Sequence, residues 1–281
     1  MIIGALLRRK LALLGLIVIT VFVLAAVLAP WIAPYPPEQQ FFEGLTLEGA
    51  PLPPNAQFWL GTDLLGRDLL SRLIYGARAT LIVGVVANGV AIAIGALIGV
   101  TAGYLRGRTG SGLMRFTDLM MAFPALLLAI LLASMFRPSL WIVAFVIAMV
   151  SWVQIARVIY AETISLSERE YVTAVRSVGA STPRILFRHI LPHLIPTLIV
   201  WGTLGIATTS LFEATLSYLG IGVQPPTPSW GNMVNENQTY FESAPWLVFF
   251  PGIAIGLLAL SFNLIGDALR DILDPTLRGR H

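Results

Sequence analysis

Residues 11–29, LALLGLIVITVFVLAAVLA, carry no charged side chain. An α-helix rises about 1.5 Å per residue, so about 20 such residues cross a hydrocarbon core of about 30 Å. Inside that core the backbone has no water to bond, so the run must be helical. It exceeds the ~7–15 residues of a signal-peptide core and shows no clear small-x-small cleavage site, so it is read as a retained span. Six runs qualify: residues 11–32, 79–104, 118–136, 139–159, 194–218 and 246–268. Only Arg137 and Pro138 separate the third from the fourth. Just 12% of the chain is charged, against about a quarter in ordinary globular domains. The expectation is an all-α integral membrane protein with six transmembrane helices, an N-terminal anchor helix and a five-helix core. Residues 1–78 then hold the N-terminal tail, the anchor and an extracytoplasmic segment. Residues 79–281 hold the core.

Lys and Arg sort the connecting segments. With the N-terminus inside, fourteen of the 18 fall on inner segments, while Arg67, Arg72, Arg78 and Arg137 fall outside. Positive residues accumulate on the cytoplasmic side, so both termini are expected there. The absence of cysteine excludes disulfides, thiolate metal sites and a cysteine nucleophile. The only lysine, Lys10, follows Arg9, so no phosphate-binding loop of the form G-x-x-x-x-G-K-[ST] exists. His189 and His193 are four apart, but Pro192 interrupts the turn and no HExxH glutamate lies between them. They are read as interfacial residues and not as metal ligands. The chain is not expected to be an enzyme. A self-sufficient ion-coupled carrier would need ionisable residues at mid-membrane depth. Glu213, toward the outer end of the fifth span, is the main one; Asp118, Arg157 and Asp267 sit near inner ends. The driving energy is expected to come from elsewhere.

Against this apolar background, residues 167–192 read SEREYVTAVRSVGASTPRILFRHILP. Ser167 and Glu170 fit a capping box at the start of a helix. Gly179 supplies the left-handed residue that stops one. Tyr171, Val172, Val175 and Val178 share a face, and Glu168, Arg169, Thr173, Arg176 and Ser177 cover the rest. Thr182 and Pro183 read as the start of a second short helix through Arg184–Leu191, broken by Pro192 and Pro196 before the fifth span. On the residues alone two readings are open. The apolar face lies in the lipid interface, or it enters a groove of a soluble protein.

The stretch TAVRSVGASTPRILFRHILP resembles the cytoplasmic loop of ABC-importer permeases, E-A-A-x3-G-x9-I-x-L-P. Ala174 falls on the first alanine, Gly179 on the glycine, and Leu191-Pro192 on the closing pair. Thr173, Val175 and His189 depart from the pattern, and Glu170 lies nearly one turn upstream of the usual glutamate, as in the peptide-permease variant. Residues 60–84, LGTDLLGRDLLSRLIYGARATLIVG, are similar to the second permease of dipeptide, oligopeptide and nickel importers. So are 213–231, EATLSYLGIGVQPPTPSWG, and 266–275, GDALRDILDP. The resemblance implies a type I importer core in the cell membrane of a prokaryote. It implies a heterodimer with a second homologous permease, and two cytoplasmic ATPase subunits that bind ATP and Mg. It further implies an extracytoplasmic binding protein that delivers a peptide or a nickel chelate. No cofactor is expected in this chain, and no nucleic-acid partner. The loop at about 160–193 would be a coupling helix docked on an ATPase, with Glu170, Tyr171, Thr173, Ala174, Val175, Gly179, Ala180 and Ser181 at or near the contact.

Four smaller features complete the reading. Ala87, Ala91, Gly95, Gly99 and Gly103 recur every four residues, a seam for close helix packing within the chain or against a second subunit. Leu64, Leu65, Leu69, Leu73 and Ile74 oppose Arg67, Asp68, Ser71, Arg72 and Tyr75, which predicts a helix lying flat at the outer interface. In it Asp68 and Arg72 would pair for about 0.2–0.5 kcal/mol. Residues 219–245 form the last outer loop, stiffened by Pro225, Pro226 and Pro228, with Trp230 assigned to the interface. This loop either meets the binding protein or is purely structural. Glu213 lines a pathway or is a buried, hydrogen-bonded group, the second being preferred. Arg270 is expected to pair with Asp267 and Asp274.

Overall fold

A computed structural model describes residues 2–273. The helices are α1 (Ile2–Leu7), α2 (Lys10–Ile32), α3 (Leu69–Leu105), α4 (Gly107–Ala122), α5 (Ala125–Ser134), α6 (Leu140–Ser167), α7 (Glu170–Ser177), α8 (Thr182–Ile185), α9 (Leu191–Tyr218), α10 (Trp230–Asn237) and α11 (Trp246–Leu273). Between α2 and α3 the chain is extended and pinned by isolated bridges, Gln40–Arg67, Leu45–Pro51 and Thr62–Asp68. Five helical stretches are long and apolar enough to cross a membrane: α2, α3, α6, α8 with α9, and α11. The expected third span is not one straight helix. α4 and α5 meet at 88°. Proline disfavours helical backbone in the residue before it, and Phe123, before Pro124, is extended (φ −88°, ψ 133°).

α3 and α6 form the centre. Ala87, Ala91, Gly95, Gly99 and Gly103 are all buried. A Cβ on Gly95 would lie 2.8 Å from Ile155 Cβ, and one on Gly99 would lie 2.6 Å from the Ala156 carbonyl oxygen. The small-residue seam is therefore internal, packed on α6. Hydrogen bonds tie α3 to α9: Asn88 Nδ2 donates to the Gly202 carbonyl (2.6 Å) and Thr209 Oγ1 to the Gly84 carbonyl (3.0 Å). α2 buries its small residues Gly15, Ala26 and Ala29 and leaves Leu11, Val21 and Val27 outward, as lipid contact requires.

The end of the fold where α3 begins departs from expectation. α3 begins at Leu69, runs 37 residues, and passes residue 78 without a break, so no separate helix lies flat there. The expected polar face is the buried one. Arg67, Asp68, Ser71 and Arg72 are inside, and Leu65 is exposed. Asp68 does not pair with Arg72; it caps α3, accepting from Ser71 N (2.7 Å) and Ser71 Oγ (2.6 Å). Asp63 takes both Arg67 (2.6 Å) and Arg72 (2.5 Å). Glu236 of α10 takes Arg72 (2.9 Å) and Arg67 (3.3 Å), and accepts from Asn232 (2.9 Å). Charges that the helical pattern assigned to water are thus neutralised by a loop far along the chain. Burial lifts the Glu236 carboxyl above its ordinary range, against the pull of Arg67. Trp230 is not interfacial. It is 0% exposed, its Nε1 donates to the Leu73 carbonyl (2.8 Å), and its ring meets Phe22 edge-on at 5.1 Å.

At the other end, Arg9 pairs with Asp271 (2.5 Å) and Arg157 with Asp118 (3.0 Å). Arg270 makes no ion pair with Asp267; Asp274, its other expected partner, lies outside the described residues, as do Arg278 and Arg280. Pro192 and Pro196 do not break the chain before the fifth span. α8 passes into α9 through one π-helical turn, Leu186–Ile190, in which Leu191 N–H bonds the Leu186 carbonyl five residues back. Pro192 has no N–H and its ring crowds the carbonyl four residues earlier; the widened turn absorbs both problems.

Candidate functional site

The polar insert grows from the clamped ends of α3 and α6. Arg106 has positive φ (49°) between α3 and α4, uncommon for a residue with a Cβ. Its guanidinium donates to Ser167 Oγ (3.0 Å), Glu168 Oε1 (2.9 Å) and the Ile164 carbonyl (3.3 Å). Ser167 is therefore the last residue of α6 and not the cap of the next helix. Its hydroxyl donates to the Ile164 carbonyl (2.8 Å), and the expected capping box with Glu170 does not form. α7 starts after Arg169, whose extended backbone serves as the cap without a side-chain bond. Arg106 was not singled out by the sequence; the signal available was an arginine-glycine pair directly after an apolar span.

Of the four residues expected on the apolar face, Tyr171, Val172 and Val175 turn toward the chain's own core, whereas Val178, just past the end of α7, points outward. Val172 is completely buried against the cluster that holds Ile159, Leu166, Ile185, Ile190 and Leu194, and Tyr171, Val175 and Ala180 pack beside it. Tyr171 OH donates to the His189 carbonyl (3.4 Å), and its ring lies 5.4 Å from His193. The Arg176 guanidinium sits 5.3 Å over the Tyr104 ring, a cation–π contact to α3. Gly179 has φ +80°, and the Ala180 N–H reaches back to the Val175 carbonyl (3.3 Å). Nothing lies within 4 Å of where its Cβ would be, so conformation and not space requires glycine here. Ser181, not Thr182, caps α8, with Pro183 in the first turn.

What remains outward on α7 and its stop is Glu170, Thr173, Ala174, Ser177, Gly179 and Ser181, together with Val178 at 84% exposure. Of the expected set, Glu170, Tyr171, Thr173, Ala174 and Val175 lie on α7, and Gly179, Ala180 and Ser181 lie in the turn from it to α8. Tyr171, Val175 and Ala180 hold the element; the others face out. His189 and His193 belong to its base, and no cluster of metal-ligating residues occurs among the described residues.

Glu213 lies apart from this element. It is completely buried, and its carboxylate accepts from Ser217 Oγ (2.7 Å) and Thr80 Oγ1 (3.3 Å). Ser217 Oγ in turn accepts from Val223 N (3.1 Å). The glutamate thus joins α9 to α3 and to the outer loop.

The fold defines a polytopic helical membrane protein. Residues 95–279 match the model of the family described as binding-protein-dependent transport system inner membrane component. Residues 2–54 match the N-terminal TM domain of oligopeptide transport permease C. The chain is 44% identical over 96% of its length, and 90% of the relative's, to a di/tripeptide transport system permease protein of Pseudomonas aeruginosa. It is 42% identical to the dipeptide transport system permease protein of Escherichia coli, over 96% of this chain and 91% of that one. To the oligopeptide transport system permease protein of Bacillus subtilis it is 38% identical, over 96% and 87%. The chain belongs to the binding-protein-dependent inner-membrane components, the permease subunits of ABC importers. It is therefore a multi-pass protein of a bacterial inner membrane and one part of a complex with other subunits.

Proposed function

We propose that the chain is one of two permease subunits of an ABC importer for di- or oligopeptides. The relatives described above are all named as peptide permeases, which supports peptides over nickel. In this reading both termini are cytoplasmic, and α4–α5 counts as one bent crossing, which makes six. The segment before α3 anchors the subunit and the chain from α3 onward forms the transport core, the boundary expected at residue 78 falling inside α3. A second, homologous permease completes the pathway, an extracytoplasmic binding protein delivers the peptide, and two cytoplasmic ATPases bind ATP and Mg. Glu213 serves as a buried structural staple.

The observation that carries the proposal is the direction of α7. Tyr171, Val172 and Val175 are already packed on the chain's own core, which leaves Val178 alone of the expected apolar face and no continuous stripe for lipid. The exposed side of α7 and its stop carry Glu170, Thr173, Ala174 and Val178. An ATPase that closes on ATP would push this side, and the push would travel through Val172 and the π turn into α9. Left-handed backbone costs a residue with a Cβ about 1–2 kcal/mol. Gly179→Val should therefore distort the tip while α6 and α9 stay folded. In reconstituted transporter, that variant is expected to hydrolyse ATP without peptide uptake, and Val178→Asp to weaken co-purification of the ATPase. Normal uptake by Gly179→Val, with undiminished ATPase recovery for Val178→Asp, would falsify the assignment.

A further inference from the structure

Two clefts open along the seam between α6 and α9, the larger one also walled by α11 and reaching His193 at the base of α7. One, of about 540 Å³, is lined by Glu162, Thr197, His193 and Arg270 among apolar neighbours. The other, of about 260 Å³, is lined by Asn88, Ser151, Gln154 and Thr208. Trp201 and Leu204 line both. Thr197 Oγ1 donates to the Glu162 carboxylate (3.0 and 2.9 Å), which sets the antiparallel register of α6 and α9. Stepping along that register puts Val158 opposite Trp201 and Ser151 opposite Thr208. The clefts therefore follow one another along the same pair of helices, with Trp201 and Leu204 on the wall they share.

The chemistry changes from one cleft to the other. Gln154 falls at the midpoint of α6, a helix of about 42 Å at 1.5 Å per residue. Elsewhere the outward surface of α5 and α6 is Leu127, Leu131 and Phe145, as lipid demands. Here it includes the uncharged Ser151 and Gln154, whose side chains have no hydrogen-bond partner among the described residues, whereas Asn88 and Thr208 already donate to the Gly202 and Gly205 carbonyls. Below the indole the lining carries one acid, Glu162, and one base, Arg270, neither in an ion pair among the described residues.

We propose that these clefts hold a peptide in two successive stations separated by Trp201. The upper station offers neutral donors and acceptors to the peptide backbone amides, which every peptide has, so it is indifferent to side chains. The lower one receives the ammonium terminus at Glu162 and the carboxylate at Arg270. This deepens the permease reading and rests on it.

The chain has no cysteine, so a single introduced cysteine is read from the mass of this chain alone. Ser151→Cys and Thr197→Cys report the upper and lower stations, and Val21→Cys the lipid-facing anchor. In the complete transporter in nanodiscs, a charged methanethiosulfonate should modify both station cysteines several-fold faster than the anchor cysteine. Tri-alanine should protect both. Trapping the ATPases with vanadate should move the two rates in opposite directions, and Trp201→Ala should abolish that opposition. Arg270→Gln should weaken protection of Thr197→Cys while leaving that of Ser151→Cys intact, which tests the lower station even where Trp201→Ala does not assemble. Station rates equal to the anchor's would mean that lipid fills the clefts; crosslinking to the second permease without peptide protection would mean that a subunit does. Either overturns the proposal. ATP-dependent uptake by the same proteins reconstituted in sealed vesicles separates the cases: uptake without these signatures sinks the stations alone, whereas a native complex that binds ATP but moves no peptide sinks the permease reading beneath them.

Discussion

Replacing Arg72 by methionine keeps most of the side-chain volume and removes the charge. Read as one member of an exposed helical pair with Asp68, Arg72 would contribute about 0.2–0.5 kcal/mol. The structure gives a different magnitude. Arg72 and its partner Asp63 are each 2% exposed, and Arg72 also holds Glu236. Removing one partner of a buried ion pair costs about 3–5 kcal/mol, because the remaining charge stays desolvated. Arg67 still reaches Asp63, which sets the expectation at the lower bound, about 3 kcal/mol. At about 2–4 °C per kcal/mol for a chain of this size, the midpoint should fall by about 6–12 °C. The assay is thermal unfolding of the purified complex at one fixed scan rate, since unfolding of such assemblies is irreversible. Asp68→Ala is the internal standard; it removes the α3 cap and should cost about 1 kcal/mol. An Arg72→Met shift no larger than that of Asp68→Ala would refute the argument. So would simple additivity of Arg72→Met with Glu236→Gln, because groups sharing a buried network must couple.

Gly89 and Gly99 lie in the same helix with opposite surroundings. A Cβ on Gly89 meets nothing within 4 Å, so Gly89→Ala should stabilise by up to about 1 kcal/mol through helix propensity. Gly99→Ala should instead destabilise by about 1–3 kcal/mol as α6 is pushed away; equal effects in thermal unfolding would show that α3 and α6 are not in close contact there. Glu236 should govern part of the pH dependence. Its folded pKa is raised above the ordinary 4.5, so the folded state holds the proton more tightly than the unfolded one. Its contribution is then present at low pH and is lost as pH rises from about the ordinary value through the raised one. The slope of thermostability against pH should differ between wild type and Glu236→Gln in that sense, and identical slopes would exclude the effect. Trp230→Ala should cost about 3–5 kcal/mol, read as loss of assembled complex in detergent, since the indole is wholly enclosed; an interfacial tryptophan would lose far less.

The spans, the family resemblance and the glycine stop were legible because each is a local property. A run of apolar residues long enough to cross lipid must be helical whatever surrounds it. Gly179 is needed by its own backbone angle, and the seam of Gly95 and Gly99 announces close packing by size alone. The direction of every polar face was decided elsewhere. Ser167 lost its capping role to Arg106, which arrives from the end of α3. Asp68 and Arg72 share a helix yet answer to different partners, because Glu236 and Asp63 bring charge from remote segments and exclude water. Pro192 reads as a helix breaker, and only the widened turn before it lets α8 run into α9. The clefts on either side of Trp201 join residues of α6 and α9 that no spacing relates. Local hydropathy and backbone sterics are set within a few residues of chain, whereas the identity of a buried charge's partner depends on which distant segments tertiary packing brings into the same dry space.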